Sequence, residues 1–595
     1  MTVTSSNRAL VAAPLHRVLG WLASTERGAT GELVCPEHHI EHTGKSAGAL
    51  LLAVELMKHG DEGEADALFA FARRVALRIT SRLEREGDST CFTFRPGRHD
   101  PYNCSNSVID GGACSDALAA FVMTAGERLA AEEREALTRA SVLHAQTYLR
   151  YCIVDKGIPA QCAWAMTGAA QAYRLSGHEV LRVACEVGAE RLRGIQRGDG
   201  SVPYHPVEWG AEHPGAADAS AFYQSRVHAF TAFALDAVLG PDEAATRDSG
   251  FAAGLDFLHG LQGPDGIKTA AVEAKPWYWR SAYEVASHPF DVAAFAAEWR
   301  RTRAPRAASA LAASWRAWLA HLGRDGRPAS HIPPQGAGSN STRSYQCAFF
   351  WAAHASWMAR SLPEIEEALA ADQGPPPGQE CRVRHFEGAD LARLDTPRFS
   401  AWVRGLRPPG SAFHGSPAGG LLRVHDRATG QDIFRAAPFA RRPECAWSGA
   451  SGAFAPRRGW RAGRDELRFS LWLARNRRRT DGVLAAAREP VRALRNAVIA
   501  PASNAVSTAF DRQSPLELTT SGAIRWTAQL ADRTGRRVGG EVDHELCATD
   551  EGQLELRVFR RGPLPARGAA FRLPAQGQGE VEGDTATVRF GDSRG

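Results

Sequence analysis

A chain of 595 residues is too long for one ordinary hydrophobic core, so we expect at least two domains. With 44% hydrophobic and 23% charged residues, its composition is that of a globular protein and excludes a fibrous or disordered class. The net charge of +5 is small for this length and the basic residues are spread along the chain, so nucleic acid is not expected as the main partner.

The N-terminal segment 1–24 predicts an amphipathic helix rather than a signal peptide. His16 and Arg17 interrupt its apolar run, and no other part of the chain is apolar for long enough to span a membrane. The 11 cysteines are scattered without a C-x-x-C pair, which indicates a reducing compartment. We therefore expect a cytoplasmic protein, or a periplasmic or secreted one if an export signal has been removed, and leave the oligomeric state open.

Two kinds of helix alternate over residues 1–362, with a repeat of about 60 residues. Helices rich in Ala and Gly are predicted near 43–57, 111–126, 160–177, 220–240, 283–299 and 344–361. Charged amphipathic helices are predicted near 7–24, 62–86, 127–152, 178–196, 243–262 and 304–322. Six such pairs predict an (α/α)6 toroid, with the small-residue helices inside and the charged helices outside. An open α-solenoid of the same repeat is the alternative.

A Pro-Pro-Pro-Gly run within 363–380 ends the helical pattern and predicts a linker. From 381 to 595 the apolar period changes to two, in segments such as "CRVRHFE", "GLLRVHD", "ELRFSLWLAR" and "ATVRF", which predicts an antiparallel β-sandwich. One stretch, 482–511, is predicted to be a helical insertion. The predicted fold class is multidomain α+β: an N-terminal (α/α)6 toroid of six helical hairpins, followed by a C-terminal antiparallel β-sandwich.

A six-hairpin toroid followed by a β-sandwich resembles the heparinase II/III-like polysaccharide lyases and their alginate-lyase relatives. In that family a "DG" loop leads to a tyrosine that opens a helix. The stretch "DGSVPYHPVEWGAEHPGAADASAFYQSRVHAF" is similar, and the resemblance implies that Tyr223 is the catalytic tyrosine. The family's Asn, or Asn-His pair, lies one hairpin earlier, where Gln161 of "GIPAQCAWAM" takes the Asn position without a following His. Asn103 and Asn106, one hairpin further back, are candidate replacements for the missing amide.

Lyases of uronate polymers cut by β-elimination, which requires stabilisation of the charge that grows on the carboxylate as the C5 proton leaves. Amide side chains or an arginine provide that stabilisation. One tyrosine serves as base and then as acid when both protons lie on one face of the sugar. Free tyrosine has a pKa of about 10, so a cation is needed beside it to lower that pKa and allow the phenolate to act as a base. We predict a catalytic group of Tyr223, Arg226 one helical turn away, Gln161 and Asn106, with His228 as a further candidate on a different helix face.

Further polar and aromatic residues at the predicted helix entries are candidates for sugar binding, because aromatic faces stack on sugar rings and arginine holds acidic groups. They are Asn103, Trp277, Tyr278, Trp279, Arg280, Tyr283, His288, Asn340, Arg343 and Tyr345. The expected partner is an acidic oligo- or polysaccharide. This chemistry requires no cofactor or metal, although sandwiches of the related family sometimes hold a structural zinc ion.

Other functions fit the same toroid. A glycoside hydrolase needs two carboxylates facing across the cleft, and no pair stands out among Glu41, Asp110, Asp116, Asp218 and Glu284. A uronyl C5-epimerase returns the proton to the opposite face of the sugar, and a non-catalytic protein binds the glycan without turnover. A terpene-cyclase-like α-barrel shares the Gln- and Gly-containing repeats, but the D-x-D-D acid motif of those proteins is absent from this sequence.

Overall fold

The computed structural model describes residues 5–36, 39, 41–59, 62–92, 105–211, 217–269, 272, 283–328, 348–372, 381–405, 420–435, 452–456, scattered positions between 467 and 494, 505–507, 509–531, 537–562, 570–572 and 578–590. The chain divides into two compact units. The first comprises Met1–Trp209, Ala221–Lys268 and Arg280–Gly374, and the second Gly210–Ser220, Thr269–Trp279 and Pro375–Gly595. Two short segments of the predicted toroid thus belong to the second unit.

The first unit is helical. Its inner helices are α2 (Thr43–Met57), α4 (Ser105–Ala125), α7 (Pro159–Ser176), α9 (Ala221–Leu239), α12 (Tyr283–Thr302) and the pair α14 (Ala348–Ala353) and α15 (Ala355–Ala359). The outer helices are α1 (Ser5–Ala23), α3 (Glu62–Thr80), α5 (Ala131–His144), α6 (Arg150–Asp155), α8 (Glu179–Ile195), α10 (Pro241–Arg247), α11 (Phe251–Leu261), α13 (Pro305–Ala320) and α16 (Leu362–Ala371). A π-helical turn, Ala145–Leu149, joins α5 to α6, and a short hairpin of β1 (Glu84–Glu86) and β2 (Ser89–Cys91) follows α3.

The inner helices form a closed ring. Each packs on the next in chain order, and α15 packs on α2. The predicted (α/α)6 toroid is therefore confirmed, and the open solenoid is excluded because the first and last inner helices touch.

Small residues let the inner helices approach closely, as their Ala- and Gly-rich sequences predict. A Cβ atom on Gly112 of α4 would lie 2.9 Å from the carbonyl oxygen of Trp164 in α7, and one on Gly168 would lie 2.7 Å from the carbonyl oxygen of Gly112. A Cβ atom on Gly48 of α2 would lie 2.5 Å from the carbonyl oxygen of Ala353. Any larger residue at these three positions would force the ring apart.

Three Asp-Gly turns follow outer helices and hold the next outer helix around the ring. In each turn the glycine has a positive φ, between 79° and 84°, and the preceding aspartate accepts a hydrogen bond from the backbone two residues on. The glycines also sit against backbone. Cβ atoms at Gly200, Gly266 and Gly326 would lie 1.9, 2.2 and 2.1 Å from the carbonyl oxygens of Ala253, Ala313 and Arg17, respectively. The third contact joins the sixth hairpin to α1.

The second unit is built from antiparallel sheets. One has the order β3 (Arg382–Phe386), β4 (Leu391–Asp395), β5 (Phe399–Arg404), β6 (Gly420–Asp426) and β7 (Gln431–Arg435). The largest contains β10 (Ala509–Gln513), β12 (Ile524–Ala531), β13 (Arg537–Ala548), β14 (Leu554–Arg561), β17 (Thr585–Phe590) and β16 (Gln578–Glu582), with β11 (Glu517–Leu518) on β12. A third joins β15 (Ala570–Arg572), β8 (Gly452–Pro456) and β9 (Ala505–Ser507).

The two larger sheets form the predicted sandwich. Alternate residues of β4, β5 and β6, such as Leu394 and Val424, share one buried apolar cluster with alternate residues of β12, β13 and β14, such as Trp526 and Leu546. One prediction for this unit is wrong and another holds in part. The described residues of "ELRFSLWLAR" (467, 471, 474 and 475) are helical rather than extended. Within the predicted helical insertion 482–511, the described residues between 483 and 494 are helical, whereas residues 505–507 and 509–513 form strands.

Candidate active site

The inner helices of the first unit all begin at one rim of the ring. An outer helix returns the chain between consecutive inner helices, so the inner helices run in the same direction. The first turns carry their unpaired N–H groups and the positive ends of the helix dipoles to this rim. Lys45, Gln161 and Tyr223 are each the third residue of their inner helix, Asn106 is the second residue of α4, and Tyr283 is the first residue of α12.

Tyr223 is half-buried at the start of α9. Its ring centroid lies 5.1 Å from that of Tyr204, in the segment after the Gly200 turn, and 4.9 Å from that of Phe222. The guanidinium carbon of Arg226 lies 5.5 Å from the Tyr223 ring centroid. The sequence-predicted neighbours Tyr223 and Arg226 are therefore together, with the cation beside the ring.

Arg226 is buried, with 1% of its surface exposed. Its guanidinium carbon lies 3.6 Å from the ring centroid of Phe222 and 3.9 Å from that of Phe290 in α12, and its Nη1 donates to the Phe222 carbonyl at 2.7 Å. This corrects the predicted role of Arg226 as a fork that grips the substrate carboxylate. The geometry makes it a fixed positive charge near Tyr223 rather than an exposed ligand of the substrate.

His228 belongs to the scaffold. It packs against Gly254 of the outer helix α11, where a Cβ atom would lie 2.0 Å from the imidazole, and its Nε2 lies 2.9 Å from Nε2 of Gln224. Burial lowers the pKa of His228 to about 4. Gln224 itself holds the Gly200 turn, accepting from the Val202 amide at 3.0 Å and donating to the Gly200 carbonyl at 2.8 Å. The prediction of a catalytic His228 is therefore wrong, because its side chain faces the outer layer.

His288, a predicted sugar-binding residue, is also buried. Its ring stacks at 6.2 Å on that of His321, which follows α13, and burial lowers the pKa of His288 to about 3. The side chain thus lies between an inner helix and an outer helix rather than at the rim, and a role in sugar binding is corrected to one in packing.

Gln161 stays a candidate. It is 7% exposed, its backbone N–H donates to the Ile158 carbonyl, and its side-chain amide forms no hydrogen bond with the residues that the structure describes. An amide without protein partners at the rim is able to bind a carboxylate or a hydroxyl.

The remaining predicted residues are not tested by the geometry. For Asn106 and Tyr283 only the backbone is described. Asn103, Trp277, Tyr278, Trp279, Arg280, Asn340, Arg343 and Tyr345 lie outside the described residues. Their predicted roles in catalysis and sugar binding stay predictions.

A buried ion pair that was not predicted from the sequence anchors the start of α9. The ammonium of Lys268, 3% exposed, donates to the Ala221 carbonyl at 2.6 Å and to the Ser225 hydroxyl at 3.1 Å, and lies 2.7 Å from Oδ1 of Asp291 in α12. Lysine is rare in this chain, which has five against 66 arginines, and Lys45, Lys156 and Lys268 are all buried. That rarity was the available signal, because a lysine retained among so many arginines marks a position that needs a compact ammonium.

Three of the five carboxylates considered for a hydrolase are held in ion pairs. Glu41 accepts from Arg78 and Arg82, Asp116 accepts a two-pronged hydrogen bond from Arg360 at 2.8 and 2.6 Å, and Asp218 in the second unit pairs with Arg404. The side chains of Asp110 and Glu284 are not described. A carboxylate so occupied is a poor general acid or base, so none of these three supports a hydrolase.

No protein-family model matches this chain, and neither does any curated protein. Similar solved structures include the Streptomyces coelicolor A3 chondroitin AC lyase in complex with chondroitin sulphate, at 15% identity and a TM-score of 0.48, over 94% of this chain and 66% of that one. A Paenibacillus xanthan lyase is 11% identical with a TM-score of 0.47, over 94% of this chain and 46% of that one.

The cellobiose 2-epimerase of Spirochaeta thermophila DSM 6192 is 13% identical with a TM-score of 0.42, over 61% of this chain and 96% of that one. Polysaccharide lyases are thus among the structures to which this chain is similar, as the sequence resemblance predicts. Identities this low do not extend any activity of those proteins to this chain. Among the described residues, no helix combines the length and the apolar character that a membrane crossing requires.

Proposed function

We propose that this protein is a polysaccharide lyase that cleaves an acidic, uronate-containing polysaccharide by β-elimination. The observation that supports this most is Tyr223, half-buried at the rim of a closed helical ring, with the buried guanidinium of Arg226 beside its ring. A positive charge fixed in a low-dielectric surrounding favours a phenolate over a phenol. Tyr223 is thus suited to take a proton from carbon.

In the proposed reaction the Tyr223 oxygen takes the C5 proton of the uronate, and the electron pair of that C–H bond forms the double bond between C4 and C5. The bond between C4 and the glycosidic oxygen breaks, and Tyr223 returns its proton to the departing oxygen. The products are a 4,5-unsaturated uronate and a new reducing end. Atoms and electrons balance without a cofactor.

Negative charge grows on the substrate carboxylate as the C5 proton leaves. Hydrogen-bond donors that are not already engaged by the protein are needed to stabilise this charge. The Gln161 amide has no partner among the described residues, so it is available to donate to a carboxylate oxygen, and the Arg226 guanidinium adds to the positive potential. A hydrolase is less well supported because Glu41, Asp116 and Asp218 are engaged by arginines.

The test is a panel of uronate polymers followed by the ultraviolet absorbance of the unsaturated uronate, with Tyr223→Phe compared against the parent. We expect the loss of the hydroxyl to reduce the rate by roughly 10²–10⁴-fold, the usual contribution of a general acid–base group. Unfolding stability should change little, because Tyr223 is not fully buried.

The matched control is Tyr204→Phe, which removes the hydroxyl of the neighbouring ring 5.1 Å away and should retain activity. Equal activity of Tyr223→Phe and the parent would contradict the role of Tyr223. New reducing ends without ultraviolet absorbance would indicate hydrolysis, and a changed uronate configuration without chain cleavage would indicate epimerisation.

A further inference from the structure

A second polar feature of the ring lies below the rim, at His354 between α14 and α15. Its imidazole is 4% exposed, and neither Nδ1 nor Nε2 has a hydrogen-bond partner among the described residues. Leaving both nitrogens of a buried imidazole unpaired is costly, so a group that hydrogen-bonds them is expected in the working protein.

The imidazole is enclosed by aromatic rings of three other segments. The ring centroid of His354 lies 4.3 Å from that of Phe350, 4.8 Å from that of Phe290 and 5.7 Å from that of Trp164. These rings cannot satisfy the imidazole nitrogens as ordinary hydrogen-bond partners. They leave the side of His354 that lines a small cavity as the place where a ligand can meet it.

The cavity lies between α2, α4, α7 and the α14–α15 pair, and we call it the His354 well. It is lined by Gly44, Lys45, Gly48, Asp116, His354 and Trp357 among others. Its volume is about 20 Å³, enough for one water molecule or one oxygen atom of a larger ligand, and too small for a sugar ring. Lys45 belongs to the first turn of α2, so the well reaches toward the rim.

The charges around the well favour an anionic oxygen. The carboxylate of Asp116 is compensated by the two-pronged hydrogen bond from Arg360. Lys45 also lines the well, and its ammonium lies 4.7 Å from the Phe350 ring centroid, so the wall carries a buried positive charge. Burial, together with the charges of Lys45 and Arg226, lowers the pKa of His354 well below its ordinary value, so the imidazole is neutral and presents one N–H donor.

The His354 well also adjoins the candidate active site. Phe290 contacts both the His354 ring and the Arg226 guanidinium, and Arg226 in turn lies beside Tyr223. The well and Tyr223 are thus linked through two packed side chains, Phe290 and Arg226, within the same ring of inner helices.

We propose that the His354 well is a recognition subsite for one anionic oxygen of an acidic sugar, with Lys45 supplying the charge and His354 donating a hydrogen bond. The proposal rests on the proposed function for the class of substrate. Carboxylate and sulfate ester share this chemistry, and the experiment separates them.

The experiment follows the imidazole Cε1–H signals of the Tyr223→Phe protein by NMR, with the His354 signal assigned by its loss in His354→Phe. D-Glucuronate, glucose 6-sulfate and D-glucose are added separately at equal ionic strength. We expect a saturable shift of the His354 signal with one or both anions and none with glucose. A response to glucuronate alone identifies a carboxylate site, and a response to glucose 6-sulfate alone identifies a sulfate site.

Lys45→Met in the same background should abolish the response, whereas Lys58→Met should retain it, because Lys58 pairs with Glu55 near the far end of α2. His354→Gln tests the imidazole separately and should weaken binding detected by calorimetry. Melting curves establish that each variant is folded.

The proposal is overturned if glucose shifts the signal as much as the anions do, if the response survives Lys45→Met, or if no sugar acts up to its solubility limit. Because the background lacks the Tyr223 hydroxyl, these outcomes do not depend on turnover. An anion response in the Tyr223→Phe protein, together with a parent protein that releases no unsaturated uronate from any polymer of the panel, would contradict the proposed function and leave the subsite supported.

Discussion

The first two turns of α9 carry two polar pairs with opposite tasks. Arg226 packs against Phe290 of the inner helix α12 and lies beside the Tyr223 ring, whereas Gln224 binds the Gly200 turn and His228 packs against the outer helix α11. The two pairs interleave in sequence and differ only in helical phase. Polar residues at the mouth of a helix are thus not evidence of one shared site, because the phase decides which ones meet a ligand and which ones hold the scaffold.

The largest expected effect comes from the buried ion pair between Lys268 and Asp291, which anchors the start of α9. Lys268→Met leaves the carboxylate of Asp291 buried without its ammonium, and we expect a loss of about 3–5 kcal/mol in unfolding free energy, measured by urea denaturation. The double variant Lys268→Met/Asp291→Leu should recover part of the loss, since no buried charge is left uncompensated. A double variant as unstable as the single one would show that the ion pair is not the cause.

The packing of Gln224 and His228 against the outer layer can be disrupted at the Gly200 turn, to which Gln224 is hydrogen-bonded. Gly200→Ala places a methyl group 1.9 Å from the Ala253 carbonyl oxygen at a φ of +84°, and we expect a loss of about 3 kcal/mol or more. Gly194→Ala in α8 is the matched control, because no atom lies within 4 Å of its added methyl, and it should stabilise by roughly 0.5–1 kcal/mol. Melting temperatures that move alike in the two variants would contradict the close packing of the Gly200 turn.

Acid should lower the free energy of unfolding through His228. Its pKa is lowered to about 4 in the folded protein, against about 6.5 when unfolded, so the unfolded state binds the extra proton between these values. Stability due to this group is full above pH 6.5 and is lost as the pH falls toward 4, by up to about 3 kcal/mol.

Other buried histidines add to the trend, because the pKa values of His144 and His544 are lowered to about 4, that of His288 to about 3, and that of His354 well below its ordinary value. The measurement is urea denaturation at several pH values for the parent and for His228→Gln. In the variant, the slope of unfolding free energy against pH should decrease by the contribution of about one proton. An unchanged slope would rule out His228 as a contributor.

The smallest expected effect is a difference in stability loss between substitutions of two glutamines, Gln224 and Gln161, which both lie at the start of an inner helix. Gln224→Leu removes the partners of the Gly200 carbonyl and the Val202 amide, so we expect a loss of about 1–3 kcal/mol in stability. Gln161→Leu removes an amide without a protein partner among the described residues, so stability should stay within about 0.5 kcal/mol while turnover falls. Two equal stability losses would mean that Gln161 has a structural task as well.

Much of the helical unit was predictable because its signal is local and repeated. Apolar, small-residue helices such as α2 and α7 alternate with charged ones at a fixed spacing, and each prediction needs only the residues of that helix. The segment 466–475 was misassigned because "ELRFSLWLAR" satisfies both periods: Leu467 and Leu471 alternate with polar residues, yet they also stand one helical turn apart.

The candidate site was predictable in position but only partly in chemistry. Tyr223 could be placed at a helix start from its motif, whereas the burial of His228 depends on Gly254 in a different helix. Likewise, Lys268 reaches Ala221 from 47 residues away, and the orphaned nitrogens of His354 become visible only once α2, α7 and α12 surround them. Such contacts are set by the closed ring and not by any local pattern.

The contact between the Gly326 turn and Arg17 of α1 has a consequence for how the protein is made. Ring closure also depends on α15 meeting α2, and on Arg360 reaching Glu55 across 305 residues of chain. During synthesis the first hairpin therefore waits for its last neighbours until the sixth hairpin has left the ribosome. Over that interval the flank of α1 and α2 that later meets the sixth hairpin stays exposed to solvent, and exposed apolar surface favours aggregation of an unfinished chain.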